Sequence, residues 1–315
     1  MAKVFLTCFA PFKPLFSDEV AVGLFSSMVI DLQRLLKSLE ENPLSLRWCS
    51  EAMTVIRKTH THFLLDFKRS KVMASWEVVC MLDEYMSASL DLLDLCNLLK
   101  SAISGLDRYR MMIDFMVTRL NDATFSTTKN KIELERLERE NYNKFFDVKK
   151  LREMNLNKER VSKVKLKTRT NMHVLQAIRS TMCIVSLFIF CSILHPIPVR
   201  IDDGFYAGMN LDSSSDCIQK LITSLGEKFR NAQGLRKPVL LENEMIEDAF
   251  AEFKGHVSSR EVSVDEGKRA KSLEILKKSS MALKEGLDLL DCEVNELFEN
   301  VIEGRKRVIN LINYH

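Results

Sequence analysis

Residues 264–313 read VDEGKRAKSLEILKKSSMALKEGLDLLDCEVNELFENVIEGRKRVINLIN and contain no proline. Apolar side chains recur there at alternating steps of three and four, with Ser280 and Gly304 counted in register: Leu273, Leu276, Leu283, Leu287, Leu290, Val294, Leu297, Val301, Val308 and Leu311. This heptad pattern predicts one amphipathic α-helix, roughly 75 Å long. A helix of that length needs packing partners along most of it, so the residues predict a bundle built around this C-terminal helix.

A second heptad pattern begins after Ser45, a residue type that often caps helix N-termini. Its members step by three and four through Leu46, Cys49, Met53, Ile56, His60, Phe63 and Phe67. The matching seams make this helix a natural antiparallel partner for the C-terminal helix. Upstream, a helix is predicted from Ser17 to about Glu41, where Asn42-Pro43 stops it.

A third helix is predicted to begin near Ser75, and Gly105 is the place where it would break. In residues 90–99, apolar side chains cover nearly the whole circumference. That pattern predicts a segment buried on all sides, at the centre of the bundle. Two shorter helices are predicted at about 215–230 and 242–256.

The middle of the chain has a different composition. Between Lys129 and Thr170 lie fourteen Lys or Arg and seven Asp or Glu, which predicts a charged arm at about 121–170. The arm ends in a basic block, made of Lys158, Arg160, Lys163, Lys165, Lys167 and Arg169. Three interpretations apply to this block: a solvated helix face, a site for an anionic membrane surface, and a nucleic-acid or nuclear signal. Aromatic residues that would stack on bases are missing from it, which weakens the third.

An apolar segment follows the basic block at about 182–199, with the sequence MCIVSLFIFCSILHPIPV. Its strongly apolar part, Met182 to Leu194, is shorter than the ~20 residues that a bilayer-spanning helix needs. Length therefore favours a buried core helix. The basic block just upstream favours membrane association instead, so both interpretations stay open.

The chain has 315 residues, 46% of them hydrophobic, with only ten glycines and six prolines. This composition favours few, long helices over an all-β fold. We predict an all-α fold, an elongated antiparallel helical bundle with a long C-terminal helix. Residues 17–315 are predicted to form a single domain after a flexible N-terminus at residues 1–16. The net charge of +3 gives no indication of a nucleic-acid partner.

Cysteine usage indicates the compartment. The eight cysteines are scattered, without a Cys-x-x-Cys pair: Cys8, Cys49, Cys80, Cys96, Cys183, Cys191, Cys217 and Cys292. They are typical of the reduced thiols of an intracellular, cytoplasmic protein. The apolar run from Val4 to Ala10 is short for a secretory signal, so no cleaved signal is predicted, while organelle targeting stays open.

Few residues suggest catalysis. His60 and His62 are two apart on a helix and face different directions, so they do not form a metal pair, and His60 is predicted to be a core histidine. Asp91 and Asp94 lie among leucines, so if buried they must be hydrogen-bonded or paired with a basic residue from another helix. No phosphate loop or nucleophile motif is present. We expect no enzymatic activity, cofactor, metal or small-molecule substrate.

Several stretches resemble one protein family. Leu44-Ser45-Leu46-Arg47-Trp48, Thr59-His60, the segment SLDLLDLCN at 89–97 and Gly286-Leu287-Asp288-Leu289-Leu290 are similar to the plant BYPASS family. The resemblance implies a plant-specific helical protein without known enzymatic activity. It implies a role in root and shoot development through a root-derived mobile signal, and for some of the wider family an association with the exocyst. The matching positions and the seam together give a predicted structural core: Trp48, His60, Asp91, Leu93, Asp94, Cys96, Asn97, Leu287, Leu290 and Val294.

These observations lead to three functional hypotheses. The first is a regulatory or scaffold protein that acts through protein partners. The second is a membrane-peripheral adaptor in vesicle trafficking, in which the basic block and the apolar segment dock on an anionic membrane surface. The third, an enzyme of small-molecule signal metabolism, rests only on what the resemblance implies.

Overall fold

The computed structural model describes residues 18–69, 76–121, 170–193, 216–235, 237–258 and 266–313, and these residues form helices and short connections without a β-strand. The helices are α1 (Asp18–Glu41), α2 (Leu46–Arg69), α3 (Trp76–Asn121), α4 (Thr170–Ile193), α5 (Asp216–Leu235), α6 (Leu241–Ser258) and α7 (Glu266–Asn313). The predicted all-α bundle with a long C-terminal helix is therefore confirmed. Buried apolar side chains from every one of these helices belong to one continuous core.

Helix α7 is the element around which the bundle is arranged. It has 48 residues and packs against α2, α3 and α6. The predicted seam is buried from Leu276 to Val308, and it includes Ser280 and Gly304. Ser280 and Gly304 occupy heptad positions of the seam although they lack a large apolar side chain, and each faces another helix. Leu311 lies beyond the described side chains.

Helix α2 packs along α7 as predicted, but the two helices run parallel, and the expectation of an antiparallel pair was wrong. Leu46 lies against Gly286 near the start of α2, and Leu64 lies against Gly304 near its end. The bond between His60 and Asn300 joins residues 240 apart, and both glycine contacts have the same separation. Residue numbers therefore rise together along both helices.

Helix α3 runs antiparallel to α7. Asp114 accepts a hydrogen bond from Ser280 near one end of the pair, and Arg305 donates to the carbonyl of Met86 near the other. Helix α3 passes through Gly105 without the expected break. The prediction that residues 90–99 are buried on all sides was also wrong, because Leu90 is 50% exposed. This segment has α7 on one side and α4 on another, and a third side faces solvent.

Helix α4 carries the apolar segment into the core. It packs against α1, α2, α3 and α5, and Ile184, Val185 and Ile189 are each almost fully buried. The part of the segment in α4 is thus a core helix. No helix among the described residues combines the length and the apolar character that crossing a bilayer requires.

The N-terminus of α2 ties three helices together. Ser45 caps α2, since its Oγ accepts a hydrogen bond from the Trp48 amide at 3.2 Å. The Glu242 carboxylate of α6 accepts from the Leu46 amide at 3.0 and 3.1 Å. The indole Nε1 of Trp48 donates to the Leu35 carbonyl of α1 at 3.0 Å. Because these bonds satisfy free N–H groups at a buried helix end, they fix where α1, α2 and α6 meet.

Three predictions fall outside the described residues. They are the flexible N-terminus at 1–16, the interior of the charged arm at 122–169, and the end of the apolar segment at 194–199. The two shorter helices are present as α5 and α6, within five residues of the predicted ends.

Candidate functional site

Polar side chains from α2, α3 and α7 meet at His60, which is 4% exposed. Its Nδ1 lies 2.5 Å from the Oδ1 of Asn300, and its Nε2 lies 3.3 Å from the phenol oxygen of Tyr85. The Nδ2 of Asn300 donates to the Oγ1 of Thr61 at 3.1 Å, and this bond sets which amide atom faces the imidazole. We call these four residues the His60 cluster.

Burial determines the protonation states in this cluster. It lowers the pKa of His60, and the hydrogen bond with Asn300 acts in the opposite direction but is the weaker cause. Burial raises the pKa of Tyr85 to about 12, although the nearby Arg305 guanidinium opposes that rise. At neutral pH the cluster therefore holds a neutral imidazole and a neutral phenol.

The neutral His60 has no free ring nitrogen. Its Nδ1–H donates to Asn300, and its Nε2 accepts from the Tyr85 hydroxyl. A histidine that acts as a general base needs an accessible nitrogen, so base chemistry here requires the Tyr85 bond to break. The sequence prediction of a packed core histidine agrees with this geometry. His62 is exposed on another side of α2 and does not join the cluster.

Two further polar contacts hold α3 to its neighbours. Arg110 is 9% exposed and donates to Asp107 and Asp114, and Asp114 also accepts from Ser280 of α7. Asp91 forms an ion pair with Arg179 of α4. A carboxylate among leucines was expected to pair with a basic residue from another helix. Arg179 is that partner for Asp91.

Most of the predicted structural core is buried or half-buried. Trp48, His60, Cys96, Leu287, Leu290 and Val294 are buried, and Asp91 and Leu93 are half-buried. Asp94 and Asn97 are exposed, so placing them in the core was wrong. The inward face of α3 is set by Leu92, Leu95, Cys96 and Leu99, whose three-and-four spacing leaves residues 94 and 97 on the outside.

The exposed position of Asp94 also bears on catalysis. His60 is enclosed between α2, α3 and α7, whereas Asp94 faces solvent, so the two do not share a polar pocket. Among the described residues, no group of three His, Cys, Asp or Glu side chains is arranged to hold a metal ion.

The buried cysteines are unreactive in this fold. Burial raises the pKa of Cys49, Cys96 and Cys191 to about 12 in each case, so their thiolate forms are strongly disfavoured. Cys49 also lies 3.7 Å from the hydroxyl of Ser192, a contact that joins α2 to α4. These thiols are packing residues.

A charged surface on α7 is the feature that sequence reasoning missed. Residues 285–304 contain seven acidic residues and no Lys or Arg. Five of these acidic residues are exposed on the outer face of α7, and we call them the acidic strip: Glu285, Asp288, Glu296, Glu299 and Glu303. Two have basic neighbours, because Arg57 contacts Glu296 and Arg307 contacts Glu303. The run of acidic residues without a basic one is the sequence signal for this strip.

The basic block lies outside the described residues. Lys158, Arg160, Lys163, Lys165, Lys167 and Arg169 precede α4, which starts at Thr170. Their proposed contact with an anionic surface therefore rests on the sequence.

Comparison with protein-family models, with curated proteins and with solved structures gave no match to this chain.

Proposed function

We propose that this chain is a non-enzymatic regulatory or scaffold protein of plants, acting in root and shoot development through protein–protein contacts. The resemblance to the BYPASS family in residues 44–48, 59–60, 89–97 and 286–290 motivates the biological setting. The observation that carries the contact role is the acidic strip. It lies on the outer face of a helix whose opposite face is fixed by packing against α2, α3 and α6.

The strip favours a basic partner segment. From Glu285 to Glu303 the acidic side chains extend over roughly 27 Å of helix. Charge complementarity over that length steers association and selects against acidic partners. Leu289 is 54% exposed next to Asp288, so it offers an apolar contact near the Glu285 end of the strip.

The test is a charge reversal with a matched control. The strip variant carries Asp288→Lys and Glu299→Lys, and the control variant carries Glu40→Lys and Asp94→Lys, which reverse two exposed acidic residues on α1 and α3. Full-length tagged chains are purified from plant cells, and the amounts of co-purifying proteins are compared. We expect the strip variant to lose proteins that the wild type and the control retain. Identical partner sets for all three chains would contradict a contact role for the strip.

A second candidate function is a membrane-peripheral adaptor in vesicle trafficking. It is favoured by the basic block, in which six cationic residues are opposed by Glu159 alone. The apolar residues of α4 are buried against other helices, so the proposed membrane contact is electrostatic.

Vesicle binding tests this second function. Changing Lys163, Lys165 and Lys167 to Gln should weaken binding to vesicles that contain phosphatidylserine, by about 1 kcal/mol for each lysine. The loss should be larger at low salt, because added salt screens the interaction. Equal binding by the wild type and the neutralised variant at low salt would exclude it.

A further inference from the structure

The His60 cluster joins the ends of three helices through one titratable ring. His60 belongs to α2, Tyr85 lies near the start of α3, and Asn300 lies near the end of α7. Each ring nitrogen of His60 serves a different neighbouring helix. The protonation state of this ring therefore affects both contacts at once.

The hydrogen bonds run in one direction through the cluster. Tyr85 donates to His60, His60 donates to Asn300, Asn300 donates to Thr61, and Thr61 donates to the carbonyl of Arg57 at 2.9 Å. This order requires a neutral imidazole that accepts at Nε2. A protonated His60 donates from both nitrogens, so the Tyr85 hydroxyl must turn around and its proton loses its acceptor.

Among the described side chains, no carboxylate is hydrogen-bonded to the imidazole of His60. On its own helix, Arg57 is paired with Glu293 and Glu296 of α7. From α7, the cationic Arg305 donates to the Ser89 hydroxyl at 2.6 Å and acts on the Tyr85 phenol. The titratable group that α3 presents to the ring is the neutral phenol of Tyr85. A protonated imidazole would therefore be a buried cation whose hydrogen-bonded partners, Asn300 and Tyr85, are uncharged.

Packing is tight at the same place. A Cβ built on Gly304 would lie 2.7 Å from the Cδ1 of Leu64 and even closer to the Tyr85 hydroxyl. Tyr85 also stacks against His60 and against Phe63, with ring centroids 5.9 and 5.4 Å away. Little room is left for Tyr85 to reorient without separating α2, α3 and α7.

We propose that the His60 cluster is a proton-operated latch, which releases the C-terminal end of α7 from α2 and α3 when His60 is protonated in mildly acidic conditions. The middle of α7 stays packed, because its buried seam contains Leu283, Leu287 and Leu290, whereas the buried seam beyond residue 300 is made of the smaller Val301, Gly304 and Val308. Because the pKa of His60 is lowered in the folded state, the contact becomes less stable as the pH falls. The contact is fully stable above about pH 6.5, the ordinary value for histidine, and it is lost as the pH falls below that value.

Hydrogen exchange on the full chain tests the latch. Backbone protection is measured at about pH 7.5 and about pH 5.5, corrected for the intrinsic pH dependence of exchange. In the wild type we expect protection in residues 297–310 to fall several-fold at the lower pH, up to the limit of about tenfold that one histidine can give over this range, while residues 283–294 change less than about twofold. Unchanged protection of 297–310 across this range would overturn the proposal.

Two variants identify the titrating group. His60→Gln should remove the pH-dependent loss of protection, whereas His62→Gln, which changes the exposed histidine two residues away, should leave it as in the wild type. An equal loss in His60→Gln and wild type would overturn the proposal. If His60→Gln does not fold, the titration of His60 is followed in the wild type by the NMR signals of its imidazole ring. The midpoints of His60 titration and of α7 opening should agree, and a difference of more than about one pH unit would refute the latch.

Discussion

Gly304 is a residue at which the packing of α7 is sensitive to one methyl group. An added Cβ there meets both Leu64 and the Tyr85 hydroxyl, so Gly304→Ala forces either the helices or the aromatic ring to move. Overpacking of this kind costs about 1–3 kcal/mol. We expect urea unfolding to show a lowered free energy of unfolding of that size, with the slope unchanged.

Gly255 provides the matched control for this substitution. It lies in α6 with open space where a Cβ would be placed. Gly255→Ala should therefore raise stability by about 0.5–1 kcal/mol through helix propensity alone. If both variants changed stability in the same direction, the close approach of α2 and α3 to Gly304 would be wrong.

Glu247 of α6 makes a separate prediction about pH. Burial, as the largest cause, and the neighbouring Asp248 and Glu244 carboxylates together raise its pKa to about 7. The folded state thus keeps a proton that the unfolded state releases above about pH 4.5, so this group makes the fold less stable as the pH rises from about 4.5 to about 7. Glu247→Gln should raise the free energy of unfolding by about 1–2 kcal/mol at pH 7.5, with no gain near pH 4.5. Glu285→Gln, at an exposed position, should change stability little at either pH; equal curves for both variants would contradict this account.

Single residues also show where sequence reasoning is weakest. The seam positions of α7 were predictable, because a polar stretch interrupted by leucines at heptad spacing has only one apolar face. Asp94 and Asn97 were misplaced because leucines surround them on all sides in the sequence, so no face stood out as polar. The sequence predicted that Asp91 would have a basic partner if it was buried. It did not identify Arg179 as that partner, because the two residues are 88 positions apart.

At the scale of elements, the direction of α2 relative to α7 was not predictable from the seams. A heptad pattern read backwards is still a heptad pattern, so matching seams predict packing and leave direction undetermined. The information that fixes direction is in small and polar residues in the two seams or directly beside them. Leu46 packs against Gly286, Leu64 packs against Gly304, and His60 bonds to Asn300. All three contacts form together only when the helices run parallel.

Distances between labels on α2 and α7 test this parallel register. Paramagnetic labels introduced as unnatural amino acids at exposed positions leave the cysteines untouched. The pairs 47/288 and 62/303 should each give distances under about 20 Å, whereas the pair 47/303 should exceed about 25 Å because fifteen residues of helix rise separate it. Short 47/303 distances with long distances for the other two pairs would mean an antiparallel arrangement.

The apolar segment shows a different limit at the element scale. Its length favoured a core helix and its basic flank favoured membrane association, so the sequence left two interpretations. The contacts of α4 with α1, α2, α3 and α5 account for its apolar residues on all sides. A helix with apolar residues around its circumference needs several neighbours, and this bundle supplies them.

For the whole molecule, the net charge of +3 conceals a segregation of charge. The arm between Lys129 and Thr170 has fourteen basic and seven acidic residues, while residues 285–304 have seven acidic residues and no basic one. Two segments of opposite charge in one sequence fit a protein that contacts other molecules, and both proposed functions therefore rest on charge. Neither of them depends on a catalytic group.

Helix α7, through its buried seam, holds α2, α3 and α6 together. Leu290 and Leu289 are neighbours in sequence, yet Leu290 is fully buried and Leu289 is 54% exposed. Thermal unfolding followed by circular dichroism compares Leu290→Asp with Leu289→Asp. A buried unpaired carboxylate costs several kcal/mol, so we predict that Leu290→Asp loses cooperative unfolding, while Leu289→Asp melts within about 4 °C of the wild type. Wild-type melting of Leu290→Asp, or equal damage from both substitutions, would contradict the bundle described for this protein.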